Sequence, residues 1–278
     1  MTTVAGLLRA SFLPALETRI LLEHVLGWRR TELITRDDEE LTEASVGRFD
    51  ALAQRRAAGE PIAQLVGTRE FFGLSFYVTP DVLIPRPETE LLVEIALEKM
   101  AAVEAPRVLD LGTGSGAIAV AIAFTRNDAQ VWAVDRSAQA LAVAERNAVK
   151  LLDADRPGGE ITLLESDWTG ALNAALRFEV IVSNPPYIAQ NDPHLSEGDL
   201  RFEPRTALTD EADGLAAIRT IVQAAPFFLA TGGSLWLEHG YDQAADVRAQ
   251  LTARGFSDVR SERDLAGIER VSGGFFTA

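Results

Sequence analysis

Apolar positions recur along this chain in two rhythms, and the change from one to the other divides it. From Pro14 to Trp28, Leu16, Ile20, Leu21 and Val25 fall at helical spacing, and Thr42 to Ala58 reads as a second helix with Thr42 as its cap. A short helical bundle is expected there. Phe71 to Val78 then alternates apolar and polar around Gly73, which predicts a β-hairpin whose turn type stays open. The stretch from Pro87 to Met100 reads as a helix, with Pro87 in its first turn, Glu88 and Glu90 at the positive end and Lys99 at the negative end. Beyond it come short apolar runs rich in β-branched residues, each followed by a turn or a helical pattern. This is the rhythm of an α/β fold. The boundary is set near residue 85, giving a helical domain with its hairpin over 1–85 and a larger domain over 86–278.

The larger domain opens with Arg107-Val108-Leu109-Asp110-Leu111, a strand, running into Gly112-Thr113-Gly114-Ser115-Gly116 and then into the helical run from Ala117 to Ala123. Strand, glycine-rich turn and helix form the first unit of a doubly wound sheet. The three glycines let the backbone approach a ligand with no side chain between, and the helix start offers unpaired N–H groups. About twenty residues on, the strand Val131–Val134 ends in Asp135, placed to accept both hydroxyls of a ribose. A nucleoside cofactor follows, but not which one, because Gly112, Gly114 and Ala117 also satisfy the dinucleotide pattern of a dehydrogenase.

The most specific signal is Asn184-Pro185-Pro186-Tyr187, at the end of the buried strand Val180–Ser183. Prolines donate no hydrogen bond, so the turn leaves carbonyls free beside the Asn184 amide. Such a cluster of neutral acceptors suits a planar NH2 group, and Tyr187 offers a flat face for it. In a sheet that reverses its order between the first and fourth strands, this turn and the glycine turn open onto one crevice. Ser166-Asp167-Trp168, after the strand Ile161–Leu164, adds an indole able to cover adenine and a carboxylate able to accept from its amine. Both features favour S-adenosylmethionine over a nicotinamide cofactor.

With these residues together, the chain resembles the release factor glutamine methyltransferases. The likeness extends to Ile84-Pro85-Arg86-Pro87-Glu88-Thr89-Glu90, Asp192-Pro193-His194, Arg201-Phe202-Glu203-Pro204 and Leu237-Glu238-His239-Gly240, and so over nearly the whole sequence. The resemblance implies a class I S-adenosylmethionine-dependent methyltransferase fold: a Rossmann-like, mixed seven-stranded sheet whose last strand, near 269–277, is antiparallel. It implies methyl transfer to the side-chain amide nitrogen of the glutamine in the Gly-Gly-Gln motif of bacterial class I peptide chain release factors, with S-adenosylhomocysteine as product. By the same resemblance Gly112, Thr113, Gly114, Ser115, Gly116, Asp135 and Trp168 hold the cofactor. Asn184, Pro185, Pro186 and Tyr187 hold the glutamine, Asn184 touching both ligands, with Asn184, Pro185 and Tyr187 as the catalytic group. Arg86 enters beside the crevice, and solvated arginine is an equal reading for it. The polar segment 188–210 is expected to form part of the substrate groove.

Charge and composition narrow the alternatives. With 26 basic and 41 acidic residues the net charge is −15, of which −3 falls on 1–85 and −12 on the rest. That balance opposes broad nucleic-acid affinity, which needs Lys and Arg to displace counterions from phosphate. It therefore disfavours an adenine amino-group DNA methyltransferase, which shares the Asn/Asp-Pro-Pro-Tyr/Phe turn and must extrude its base. Local pairs such as Arg29-Arg30 and Arg55-Arg56 remain as possible basic patches. A glutamine methyltransferase of a ribosomal protein shares the catalytic turn, and only the flanking stretches favour a release factor. A non-catalytic nucleoside-binding module has no use for an amide-activating turn. The absence of cysteine excludes disulfides, thiolate zinc sites and a cysteine nucleophile. The three histidines, at 24, 194 and 239, are scattered, so no metal is expected. His239 is expected in a structural hydrogen bond. Charges at Arg9, Glu17 and Arg19 interrupt any leader, and the apolar stretch Leu111–Phe124 is too short to span a bilayer. A cytoplasmic monomer is expected.

Overall fold

The computed structural model describes residues 2–196 and 198–277. The chain forms two compact units, Met1–Thr68 with Glu197–Phe202 and Arg69–Ser196 with Glu203–Ala278.

The first unit holds five helices, α1 (Val4–Ala10), α2 (Ala15–Leu26), α3 (Arg30–Thr35), α4 (Glu43–Ala57) and α5 (Ile62–Val66). Thr42 caps α4 by accepting from the Ser45 amide at 3.1 Å, as its place before the helical run requires. Leu21, Leu22 and Val25 of α2 pack with Phe49 and Ala53 of α4, Leu33 and Leu65 in one apolar core. Segment 198–202 joins this unit through the Asp199 carboxylate on Arg56 at 3.0 Å and the Phe202 carbonyl on Gln64 at 3.0 Å. Arg56 also takes both Glu17 oxygens at 2.9 Å, and Arg55 takes Glu60. The charges of the Arg55-Arg56 pair are thus matched by carboxylates.

The second unit takes in, from Arg69 on, the hairpin of β1 (Thr68–Phe71) and β2 (Leu74–Tyr77). Although the boundary near residue 85 places this hairpin with the helices, it packs as part of the sheet unit. Phe71 and Phe76 are fully buried there with Leu92, Val93 and Met100, because a two-stranded hairpin cannot bury two phenylalanines by itself. A short 3-10 turn over Pro87–Thr89 leads into α6 (Glu90–Lys99). The alternation then runs β3 (Arg107–Leu111), α7 (Ala117–Thr125), β4 (Gln130–Asp135), α8 (Ala138–Leu151), β5 (Thr162–Glu165) and β6 (Phe178–Ser183). The segment anticipated as one polar loop is broken by 3-10 turns over 193–196 and 198–202 and by the single turn α9 (Arg205–Leu208). Completing the unit are α10 (Ala216–Ala224), β7 (Leu229–Glu238), α11 (Ala244–Arg254), β8 (Ser257–Arg263) and β9 (Glu269–Phe275).

Seven strands form one sheet in the order β5-β4-β3-β6-β7-β9-β8, with β9 antiparallel to both neighbours and the others parallel. This is the mixed sheet expected from the resemblance. The helix α7 is apolar on every side, Ala117 through Ala123 being buried. Each fully buried Val or Ile contributes roughly 1.5–3 kcal/mol over exposure, and this burial adds to the high helix propensity of the alanines between them. The strand order reverses between β3 and β6, where the chain leaves β3 toward one edge and returns to β6 on the other side.

Candidate active site

At that reversal the register decides what meets what. Leu111 pairs with Ser183, and the Ser183 hydroxyl donates to the Leu111 carbonyl at 2.6 Å. Gly112 and Asn184 are therefore the first residues beyond the carboxyl ends of two adjacent parallel strands. Crevices at such switch points bind ligands because strand ends there diverge to opposite faces and leave a gap.

The amides of Gly112 and Thr113 both donate to the Val134 carbonyl at 2.9 Å, which pins the glycine turn to the end of β4. Gly112 has φ +75°, and a Cβ there would come within 3.4 Å of the Trp168 ring. Gly116, at φ +79°, serves a different purpose: as the cap of α7 it lets α8 approach, since a Cβ would lie 3.0 Å from that of Ala144. Asp135 accepts from the Gly114 amide through Oδ2 and from the Ser137 amide through Oδ1, each at 2.9 Å. Every carboxylate oxygen has a second lone pair, so Asp135 can hold the turn and still accept hydroxyl protons. Trp168 takes φ +49°, uncommon for a bulky residue, and is held there by the Ser166 hydroxyl, which donates to its carbonyl at 2.8 Å.

These residues surround a cavity of about 400 Å³. Gly112, Thr113, Gly114, Ser115, Asp135, Trp168 and Asn184 line it, as does Asp167, while Gly116 does not. A positive-φ glycine turn, a carboxylate with spare lone pairs and an indole edge fit a nucleoside with an attached charged chain. Beneath the turn Asp110 is fully buried and accepts from the Thr113 hydroxyl at 2.6 Å. Burial pushes its pKa up to about 7, against the opposing Thr113 bond.

Of the turn after β6, Asn184 and Pro186 line the cavity. Pro185 is buried, and among the described residues no N–H donates to its carbonyl. Asn184 donates through Nδ2 to the Thr89 hydroxyl at 3.1 Å. That bond anchors the NH2 end of the amide and leaves Oδ1 as the end available to a ligand. Tyr187 does not line the cavity. Its hydroxyl donates to Oε1 of Glu238 at 3.3 Å, and its carbonyl accepts from the Gln243 amide at 3.0 Å. Burial, then the nearby Glu238 charge, raises its pKa, so it remains a phenol.

Three features escape a residue-by-residue sequence reading. Glu238 ends the apolar strand Leu229–Glu238 and is 1% exposed. Burial raises its pKa to about 7, although Thr89, Arg270 and Tyr187 favour its charged form. An acid closing an apolar run is the only signal the sequence offers. Thr89, 95 residues before Asn184 in sequence, is the second. The third is Glu203, which accepts from the Ile84 amide at 2.9 Å and forms an ion pair with Arg86. This pair joins two of the flanking stretches and places Arg86, itself a cavity residue, by an ion pair instead of by solvent. His239 has the expected structural role: it is buried, Nδ1 donates to the Gly240 carbonyl at 2.8 Å, and Nε2 is left to accept from the Ser272 hydroxyl at 2.7 Å. Burial lowers its pKa and keeps it neutral. Among the described residues no group of three or more His, Cys, Asp or Glu is arranged to hold a metal ion, and no helix is long and apolar enough to cross a membrane.

Residues 3–67 match the family model described as PrmC N-terminal domain, and residues 87–198 match Methyltransferase small domain. A protein of Burkholderia pseudomallei named release factor glutamine methyltransferase is 69% identical over 272 residues, covering 98% of this chain and 95% of its own length. The Escherichia coli protein of that name is 47% identical, covering 95% and 93% respectively. Among solved structures, a methyltransferase from Pyrococcus furiosus superposes with a TM-score of 0.53 at 20% identity, covering 81% of this chain and 98% of that one, a likeness of fold.

Proposed function

The chain belongs to the release factor glutamine methyltransferases, and we propose from that premise that Asn184 and Pro185 present a glutamine side chain of a class I release factor to S-adenosylmethionine held by the glycine turn. The acceptor is the amide nitrogen of the Gly-Gly-Gln glutamine. The observation that carries this reading is the pairing of Leu111 with Ser183, which sets the two turns side by side, together with the Thr89 bond that orients the Asn184 amide.

When bound, S-adenosylmethionine supplies a strongly electrophilic sulfonium methyl and leaves as S-adenosylhomocysteine. Gly112 to Ser115 would give backbone approach to it, Asp135 would accept the ribose hydroxyls, and Trp168 would cover the base. The protein's harder task is the nucleophile, since an amide lone pair is delocalised into its carbonyl. Asn184 Oδ1 accepts one N–H of the glutamine and the Pro185 carbonyl accepts the other. Held so, the nitrogen pyramidalises and aims its lone pair along the line of attack at roughly 3–3.5 Å. As positive charge grows on that nitrogen, these fixed carbonyl dipoles stabilise it without reorganising. The N–C bond would form as the C–S bond breaks, and the N-protonated amide would lose its proton to water without a strong base.

The matched charges at Arg55 and Arg56 and the excess of acid in the larger unit support a protein acceptor over a DNA base. No metal enters this chemistry, and a translation-factor substrate places the protein, read here as a monomer, in the cytoplasm. The N-terminal unit is read as the part that grips the substrate protein away from its glutamine. Radiolabelled methyl transfer to purified release factors tests the reading directly. Label is expected on the intact Gly-Gly-Gln protein and absent from its Gln→Ala copy, and label on both would mean another acceptor.

A further inference from the structure

Resting on that reading of the site, we propose that Gln243 is a positioning residue for methyl transfer: its side-chain amide clamps the backbone at the far end of the acceptor turn and thereby aims the Pro185 carbonyl. Gln243 stands just before α11 and does not line the cavity. Its amide is fully used. Nε2 donates to the Tyr187 carbonyl at 3.0 Å and to the Gly214 carbonyl at 3.1 Å, while Oε1 accepts from the Gly240 amide at 2.8 Å. All three partners are backbone groups with fixed roles, so the amide has one orientation. Flipped, it would set its NH2 against the Gly240 N–H and its oxygen against two carbonyls. One side chain thus ties together the end of the turn after β6, the loop entering α10 and the loop leaving β7.

The turn needs such a clamp because of its prolines. Pro185 and Pro186 have fixed φ but keep ψ as a free torsion, and among the described residues no N–H donates to the Pro185 carbonyl. The direction of that carbonyl is therefore set by what holds the turn at either end. At the near end, Ser183 is in register with Leu111, and Asn184 donates to Thr89. At the far end, the peptide plane between Tyr187 and Ile188 is held along both edges: Gln243 donates to its carbonyl, and its N–H donates to the Leu208 carbonyl at 3.0 Å. Among the described residues nothing else donates to the Tyr187 carbonyl. The Tyr187 hydroxyl reaches Glu238 at 3.3 Å, but it acts through a side chain with torsions of its own and constrains the backbone less. Without the Gln243 bond the plane is free to rotate about the Leu208 contact, and the proline carbonyls turn with it.

Gly214 shows how closely these parts are fitted. It has φ +82°, and a Cβ there would lie 2.5 Å from the Tyr187 carbonyl oxygen and 2.9 Å from Gln243 Nε2. Only glycine lets the loop come in against the clamp. The helix it leads into, α10, lines the cavity with Ala216, Ala217 and Thr220. Gln243 therefore holds the acceptor turn and that part of the cavity wall in one frame.

The test uses the full chain and a purified release factor in the methyl-transfer assay, with calorimetry and thermal unfolding on the same samples. Gln243→Met keeps the length of the side chain but has no N–H to give. It is expected to lower kcat roughly 10–100-fold, the order that a small misplacement of the reacting groups costs, while KM for the release factor and Kd for S-adenosylmethionine each stay within about threefold. Loss of the hydrogen bonds should lower Tm by no more than about 10 °C. Gly214→Ala presses on the same carbonyl from the other side and should show the same split between kcat and KM. Because both changes act through the Tyr187 carbonyl, the double variant should lose much less than the product of the two single losses. Wild-type kcat in Gln243→Met overturns the proposal, as does a raised KM at unchanged kcat or a double variant whose losses multiply. Where Gln243→Met folds poorly, Gln243→Glu decides: it keeps the bond from Gly240 but sets an oxygen against the two carbonyls, and wild-type kcat there overturns the proposal equally. A wild-type protein that transfers no methyl to release factors overturns the acceptor reading itself, and the inference falls with it.

Discussion

Removing the Asn184 side chain separates chemistry from stability, because the structure gives it one hydrogen bond within the fold and the proposed chemistry gives it another, to the acceptor. In Asn184→Ala the fold loses a single side-chain hydrogen bond, to Thr89. A net loss of about 1 kcal/mol is expected, which for a domain of this size lowers Tm by only about 2–4 °C. The transition state loses more. Of the two acceptors proposed for the glutamine N–H groups, one disappears, and it disappears from a partly buried site where water replaces it poorly. Deleting one such preorganised group costs about 2.7–4 kcal/mol, a fall in kcat of roughly 10²–10³. The assay is single-turnover transfer of labelled methyl to a purified release factor, with thermal unfolding on the same samples. A variant within about threefold of wild-type kcat would remove Asn184 from the mechanism, and a Tm drop beyond about 10 °C would show that its main work is structural.

Other perturbations test neighbouring steps. Asp135→Ala removes the acceptor for the Gly114 and Ser137 amides as well as the proposed ribose contact, so calorimetry should show cofactor affinity weakened by roughly 10–100-fold, and an unchanged Kd would refute the role. Gly116→Ala forces an L-residue to φ +79° and sets a Cβ 3.0 Å from Ala144, a cost of about 2–5 kcal/mol that urea unfolding would report; an unmoved midpoint would show that α7 and α8 separate freely. Asp110→Asn tests a buried acid by pH. Its folded pKa of about 7 lies above the unfolded 3.8, so the native state binds the proton more tightly. Its contribution to stability is complete below about pH 4 and lost as pH rises through 7. The variant should therefore gain on wild type between those limits by at most about 4 kcal/mol, and a difference that does not vary with pH would place the titration elsewhere.

Much of this protein was legible before folding. Alternation of apolar runs with helical stretches, and the position of Gly112–Gly116 after a strand, dictate a doubly wound sheet, because strand and helix periodicities are local properties of the chain. The cofactor turn and the Asn-Pro-Pro-Tyr turn are legible for the same reason: their backbone demands for positive φ or a missing N–H can be met by few residue types. What the sequence left open was the company these turns keep. Glu238 reads as the polar end of a strand, Thr89 as a residue in a helix start, and Glu203 as part of a loop, and nothing local ties them to the site. The fold brings Thr89 onto Asn184 from 95 residues away and Glu203 onto Arg86 from 117. It also takes Tyr187 off the cavity wall and gives Gly116 to helix packing. Local pattern determines which elements form and where the chain turns. Which side chains share a buried, low-dielectric space, and hence which acids have their protons shifted and which amides are held in one orientation, depends on strand order and register, and only the tertiary structure sets those.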